Sequence, residues 1–191
     1  VKPPQEDASL GISSNSVVTD LKELFNRIDA LQSEFQQPVL VEQFIEGCEF
    51  YAGVLGNENA KAPPLIELDF SRLPAGAPRI ASWEAKWGDD GAGGGREFAG
   101  TRSVLANDLE PERVLEIQRV AVEAFHALRL RDYARIDLRM TEAGEVFVIE
   151  VNPNCYLERE SEFATAAAAE GLSYESLIGR IQDLALARYS H

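Results

Sequence analysis

The chain has 191 residues, 18 of them Lys or Arg and 32 Asp or Glu, for a net charge of −14 at neutral pH. With 45% apolar and 26% charged residues it has a soluble globular composition, long enough for one large domain or two small ones. The acidic balance argues against a nucleic-acid partner, which needs a dense basic surface. No apolar run approaches the roughly 20 residues of a membrane helix. A nucleotide stays compatible with this charge, because a few local cations and a metal ion suffice to hold one. The two cysteines, Cys48 and Cys155, form neither a metal nor a disulfide framework, so a reducing cytoplasmic setting is expected. The opening Val1-Lys2-Pro3-Pro4 has neither an initiator Met nor a signal-peptide pattern, and a fragment or processed form is the expectation.

In chain order, residues 3–16 are rich in turn formers and read as a loop. Leu21, Leu24, Phe25, Ile28 and Leu31 then fall at helical spacing behind Asp20 and Glu23, a capping-box-like pair, which predicts a helix over 20–35. Strands are predicted at Pro38 to Phe44, Glu49 to Leu55 and Leu65 to Phe70, with a further candidate at Arg79 to Trp83. Residues 88–100 hold six glycines and no aliphatic side chain larger than Ala; such a segment cannot pack a core and predicts a mobile loop. It lacks the Gly-Lys-Ser/Thr ending of a P-loop. Pro111 marks a helix start, and Val114, Ile117, Val120, Ala121, Ala124, Phe125 and Leu128 form its apolar stripe. Tyr133 to Met140 and Val146 to Val151 read as two strands, and Phe163 to Glu170 and Tyr174 to Tyr189 as two helices separated at Gly171.

The hairpin carries the strongest inference. With its turn centred between Ala143 and Gly144, Arg135 faces Asn152 and Asp137 faces Glu150 on one surface. On the other, Ile136 meets Val151, Leu138 meets Ile149, and Met140 meets Phe147. One face is then wholly apolar, and the other gathers an Arg, two acids and an amide. A three-residue loop would shift the register by one and destroy both faces. Directly opposed carboxylates destabilise a sheet, so Asp137 and Glu150 require a counter-cation. Two carboxylates and an amide oxygen suit Mg²⁺ shared with phosphates; the alternative is a solvated polar face that Arg135 neutralises. Taken alone, Glu49 and Lys86 read as ordinary surface residues, and His126 and His191 carry no role. No Ser-His-Asp or Cys-His arrangement points to nucleophilic hydrolysis.

Together these segments resemble an ATP-grasp ligase, most closely the D-alanine–D-alanine ligase group, over almost the whole chain. The resemblance implies an α+β fold, an antiparallel sheet packed by helices and truncated on its N-terminal side. Residues 1–45 would be part of the small ATP-grasp subdomain and 46–191 the C-terminal subdomain with the metal site. Lys2 and the loop from Glu6 to Gly11 are similar to the family's phosphate-contacting segment. Glu42 and the backbone of Gln43, Phe44 and Ile45 match the hinge that holds adenine, and Glu49 matches the residue on the ribose hydroxyls. Lys86 matches the lysine that reaches the nucleotide phosphates during the reaction. In the same match Asp137, Glu150 and Asn152 bind Mg²⁺ or Mn²⁺, Arg135 stabilises the reacting acyl centre, and Ser161 meets a substrate carboxylate.

The chain departs from dipeptide ligases at Ala8, where they usually have a serine, at Trp87, where they usually have a tyrosine, and at Pro153 to Leu157, where they usually have a glycine-containing turn. The kept residues belong to ATP and metal and the changed ones to substrate. The implied activity is therefore ATP- and Mg²⁺-dependent carboxylate–amine ligation through an acyl phosphate, with a small carboxylate and amine other than D-alanine. The glycine-rich loop would close over the phosphates. The alternative is a nucleotide-binding module without ligase activity, its substrate half supplied by an N-terminal domain or another chain, a second copy included.

Overall fold

The computed structural model describes residues 1–6, 8–83 and 101–189. Two compact units are present: Val1–Phe44 with Asp69–Arg102, and Ile45–Leu68 with Ser103–His191. The sequence division at 45/46 had placed 69–102 with the C-terminal part. The chain instead returns to the first unit, where the Trp83 N–H donates to the Ile12 carbonyl at 2.9 Å.

In the first unit, helix α1 spans Leu21–Phe35. Asp20 caps it, its Oδ1 accepting from the Glu23 N–H at 2.8 Å, and Glu23 Oε2 reaches back to the Thr19 N–H at 2.9 Å. The apolar stripe does not act as one face: Leu31 is fully buried, whereas Leu21 and Phe25 are 71% and 61% exposed. The predicted strand at 38–44 is reduced to one bridge, in which Lys2 and Leu40 exchange backbone hydrogen bonds at 2.9 Å. Pro3, Pro4 and Pro38 have no N–H to extend the ladder on their side of the bridge.

The second unit is built on an antiparallel sheet, as an α+β chain of this pattern should be. Its strands are β1 (Cys48–Leu55), β2 (Ile66–Asp69), β3 (Arg102–Leu105), β4 (Tyr133–Met140) and β5 (Val146–Asn152), in the order β3-β2-β1-β4-β5. β1 pairs antiparallel with β2 and β4, and β4 with β5. No strand forms at Arg79 to Trp83, and the short strand β3 had no signal beyond Val104-Leu105.

Helix α2 (Pro111–Ala127) buries Ile117, Ala121 and Phe125 against Phe50, Ala52, Val54, Ala134, Ile136 and Leu138. Each large side chain removed from water here contributes about 1.5–3 kcal/mol. Leu128, read as part of that stripe, is 58% exposed beyond the helix end. Helices α3 (Glu162–Ala169) and α4 (Tyr174–Ala187) form a second apolar cluster from Phe163, Ala164, Ala167 and Leu177, with Cys155, Leu55 and Tyr133.

The register of β4 and β5 holds at one end and slips at the other. Arg135 faces Asn152, Ile136 faces Val151 and Asp137 faces Glu150, but Leu138 faces Val148 and Met140 faces Val146. The reason lies in the turn. Thr141 N–H donates to Glu145 O at 3.0 Å and Gly144 has φ +90°, a three-residue loop with glycine in the left-handed position. Such a loop does shift the register by one. A β-bulge at Ile149 inserts one unpaired residue and restores the pairing of Asp137 with Glu150.

Candidate functional site

Alternation along β1 and β4 sends Phe50, Ala52, Ile136 and Leu138 into the core and puts Glu49, Tyr51, Arg135, Asp137 and Arg139 on the opposite face. Cross-strand pairing then sets Glu49 beside Arg139 and Tyr51 beside Asp137. Asp137 is 4% exposed. Its two oxygens accept from Arg135 Nε at 2.7 Å and Nη2 at 2.9 Å, a bidentate fork, and Oδ2 also accepts from Asn152 Nδ2 at 3.3 Å. The third nitrogen, Arg135 Nη1, lies 3.6 Å from Glu162 Oε2, and Glu162 Oε1 accepts from Ser103 Oγ at 3.1 Å. The guanidinium also stands over the Tyr51 ring, 4.6 Å from its centroid. Tyr51 Oη donates to Glu49 Oε1 at 3.4 Å, Glu49 Oε2 lies 3.6 Å from Arg139 Nη1, and Arg139 Nη2 donates to the Gly47 carbonyl at 3.1 Å.

Cations and anions thus alternate across a buried face, and the pKa directions follow. Burial alone would lower that of Arg135, but Asp137, with Glu162 behind it, outweighs burial and holds it above its usual value. Burial, reinforced by the Glu49 and Asp137 carboxylates, pushes the Tyr51 phenol well above its usual value. Burial pushes the Cys155 thiol up to about 12.

Three residues expected at the metal, Asp137, Glu150 and Asn152, come together on adjacent strand positions, and the counter-cation in this state is Arg135. Glu150 is exposed, and Asn152 is half-buried. Among the described residues no group of three or more His, Cys, Asp and Glu side chains converges on one point, so any cation here would rest on two carboxylates and an amide oxygen. That hard oxygen set fits Mg²⁺, which would share the Asp137 carboxylate with Arg135 or take it from the guanidinium.

Glu49, read alone as a surface residue, is 5% exposed and paired. Ser161 is 4% exposed, and its Oγ accepts from the Ala164 N–H at 3.2 Å as the N-cap of α3. In the first unit Lys2 Nζ sits 2.6 Å from Glu42 Oε2, so two residues matched to opposite ends of a nucleotide are paired with each other. Glu42 and Gln43 are exposed and Phe44 and Ile45 half-buried, in a segment outside any strand. Lys86 and the glycine-rich segment 88–100 lie outside the described residues.

Four participants escaped the sequence reading. Tyr51 and Arg139 were legible, since they share the period of Glu49 and Asp137 along their strands. Glu162 and Ser103 had no signal, because they reach Arg135 only through the packing of α3 and β3.

Residues 1–183 match the family model described as D-ala D-ala ligase C-terminus. The chain belongs to that family. Among curated relatives, protein y4sG of Sinorhizobium fredii is 31% identical over 99% of this chain and 52% of its own length. D-alanine--D-alanine ligase A of Escherichia coli is 30% identical over 100% of this chain and 47% of its own. The chain therefore spans about half the length of these relatives.

Solved structures of the family agree in fold. D-alanine--D-alanine ligase from Bacillus anthracis aligns over 97% of this chain and 53% of its own, with a TM-score of 0.73 at 21% identity. VanG D-Ala:D-Ser ligase from Enterococcus faecalis aligns over 96% of this chain and 48% of its own, with a TM-score of 0.72 at 22% identity. The fold is ATP-grasp, and this chain corresponds to the C-terminal portion of such a ligase. Among the described residues no helix is long and apolar enough to cross a membrane.

Proposed function

We propose that this chain is the ATP- and metal-binding part of an ATP-dependent carboxylate–amine ligase whose substrates are a small carboxylate and a small amine. The observation that carries the reading is the polar face of β4 and β5, where Arg135, Asp137, Glu150 and Asn152 meet in register, in a chain of the D-ala D-ala ligase family. In the reaction a carboxylate oxygen of the first substrate takes the γ-phosphoryl group of ATP, releasing ADP. The amine then adds to the acyl carbon, loses a proton, and phosphate leaves. Such chemistry needs positioning and charge neutralisation rather than covalent help from the protein.

Asp137, Glu150 and Asn152 would hold Mg²⁺ or Mn²⁺, which neutralises phosphate charge when bound. Arg135, protonated at all working pH values, would stabilise the oxyanion at the acyl centre. Lys2 and Lys86 would meet the phosphates. The backbone of Gln43 to Ile45 with Glu42 would read adenine, Glu49 would meet the ribose and Ser161 a substrate carboxylate. In this reading ATP use fits a cytoplasmic enzyme.

Competition titration should show ATP preferred over GTP, since the 6-oxo group of guanine meets acceptors where adenine offers a donor. The variant Asp137→Asn should weaken nucleotide binding in Mg²⁺ and change little in EDTA. Equal binding of ATP with and without metal overturns the reading. A second reading, a nucleotide-binding module without ligase activity, is favoured by the changes at the positions matched to substrate, Ala8 and Pro153 to Leu157. Phosphate release that depends on an added amino acid, in a panel with ATP and Mg²⁺, decides for the ligase; its absence decides for the module.

A further inference from the structure

Arg135 and a metal ion compete for the same two oxygens. With Nε and Nη2 on both oxygens of Asp137 at 2.7 and 2.9 Å and Asn152 Nδ2 on Oδ2 at 3.3 Å, three of the carboxylate's roughly four lone-pair sites are taken, and a divalent cation that binds it repels the guanidinium beside it. A guanidinium released from that fork would leave its charge poorly compensated, because the Arg135 side chain is 16% exposed and burying an unpaired charge is costly. The structure supplies a second carboxylate. Glu162, half-buried at the first position of α3, holds Oε2 3.6 Å from Arg135 Nη1, and its other oxygen is fixed by Ser103 Oγ at 3.1 Å. A first-turn acid is favoured by the helix dipole, but the dipole does not account for the anchoring by Ser103 or the approach to Arg135.

We infer that Glu162 is a positioning residue onto which the Arg135 guanidinium swings when a divalent cation takes Asp137, so that metal binding and the orientation of the reactive arginine are one event. The inference rests on the metal site proposed above and adds what that site requires of its neighbour. Metal-free, the fork belongs to Asp137 and Glu162 is a secondary contact. Metal-bound, the contact of 3.6 Å closes to a hydrogen bond. Arg135 then keeps its charge balanced, with its guanidinium still over the Tyr51 ring.

Mn²⁺ titration of the chain, read by electron paramagnetic resonance as loss of free-ion signal, tests this without turnover. Glu162→Gln should weaken Mn²⁺ binding about tenfold, the worth of one charge-assisted contact. Glu162→Asp should recover part of that loss, and Ser103→Ala, which loosens the anchor, should lie between wild type and Glu162→Gln. The deciding measurement is a cycle with Arg135→Gln. If Glu162 acts by receiving Arg135, then Glu162→Gln changes Mn²⁺ affinity less than twofold once Arg135 is gone. The same tenfold loss in both backgrounds would mean that Glu162 attracts the cation directly, and would overturn the inference.

Unchanged affinity in Glu162→Gln overturns it as well. A wild-type chain that binds no Mn²⁺, or binds it equally well as Asp137→Asn, overturns the metal site itself, a result distinguishable from the other two. Should Glu162→Gln lose its circular-dichroism melting transition, Ser103→Ala against Ser103→Ala/Arg135→Gln carries the same comparison, and equal losses again overturn the inference.

Discussion

Gly53 of β1 lies beneath the ring of Phe163, and replacing it with alanine tests how tightly α3 is seated on the sheet. A methyl group at that position would stand 2.8 Å from Phe163 Cδ2 and 2.9 Å from Cε2, about 0.8 Å inside ordinary carbon–carbon contact. Phe163 is 2% exposed, so the ring has no vacant space to enter and must push its helix outward. Overpacking of this kind costs about 1–3 kcal/mol. The backbone works the other way: Gly53 is in a regular strand opposite Arg135, where alanine is favoured over glycine by about 0.5–1 kcal/mol. The net loss should be about 1–2 kcal/mol, or a fall of about 3–6 °C in Tm for a chain of this size.

The consequence extends to the site, because Glu162 immediately precedes Phe163 and moves with it away from Arg135. Phe163→Leu makes room for the methyl group, so the double variant should be more stable than the two single losses predict, with a coupling of about 1 kcal/mol. Circular-dichroism melts of wild type, both single variants and the double variant measure this. A Gly53→Ala protein that melts at or above wild type, or losses that simply add, would refute the argument from close contact.

Asp137→Asn should lower stability by about 3 kcal/mol at neutral pH in urea unfolding, because it leaves Arg135 buried with only the longer contact to Glu162; an unchanged midpoint would show that the ion pair does not hold the face together. Cys155 gives a pH dependence of defined sign. Its thiol titrates at about 12 in the folded chain against 9.0 for the free group, so between those values the unfolded chain has lost a proton that the folded chain keeps. Stability from this group is fully present below pH 9.0 and falls as pH rises toward about 12. The slope reaches at most about 1.4 kcal/mol per pH unit, and Cys155→Ala should flatten that part of a urea-midpoint-against-pH curve. An identical slope in the variant would mean that other groups set it.

The hairpin shows how far sequence alone reached. Alternation of apolar and polar residues along Tyr133 to Met140, and again after Gly144, was enough to pair Arg135 with Asn152 and Asp137 with Glu150 and to place them away from the core, because a strand has only two faces and one must be apolar. The same periodicity at 3.6 residues placed α1 and α2, with Asp20 and Pro111 marking their starts. What alternation could not count was the extra residue. A three-residue turn and a bulge at Ile149 cancel, and each is invisible without the other, since the pairs on the open side are the same with both or with neither.

Nor could local pattern show that, among the described residues, the strand expected at 38–44 would pair at a single bridge with Lys2. Strand formation depends on partners far along the chain, and prolines limit those partners here. Glu162 and Ser103 are the clearest case. An acid at a helix start and a serine in a short strand are unremarkable in sequence, and they acquire a role only because α3 packs on Gly53 and β3 closes the sheet, bringing residues 103, 135 and 162 to one guanidinium. The sequence determined which residue types could face each other, whereas charge compensation in a buried site depends on distance in space, and tertiary packing alone decides that.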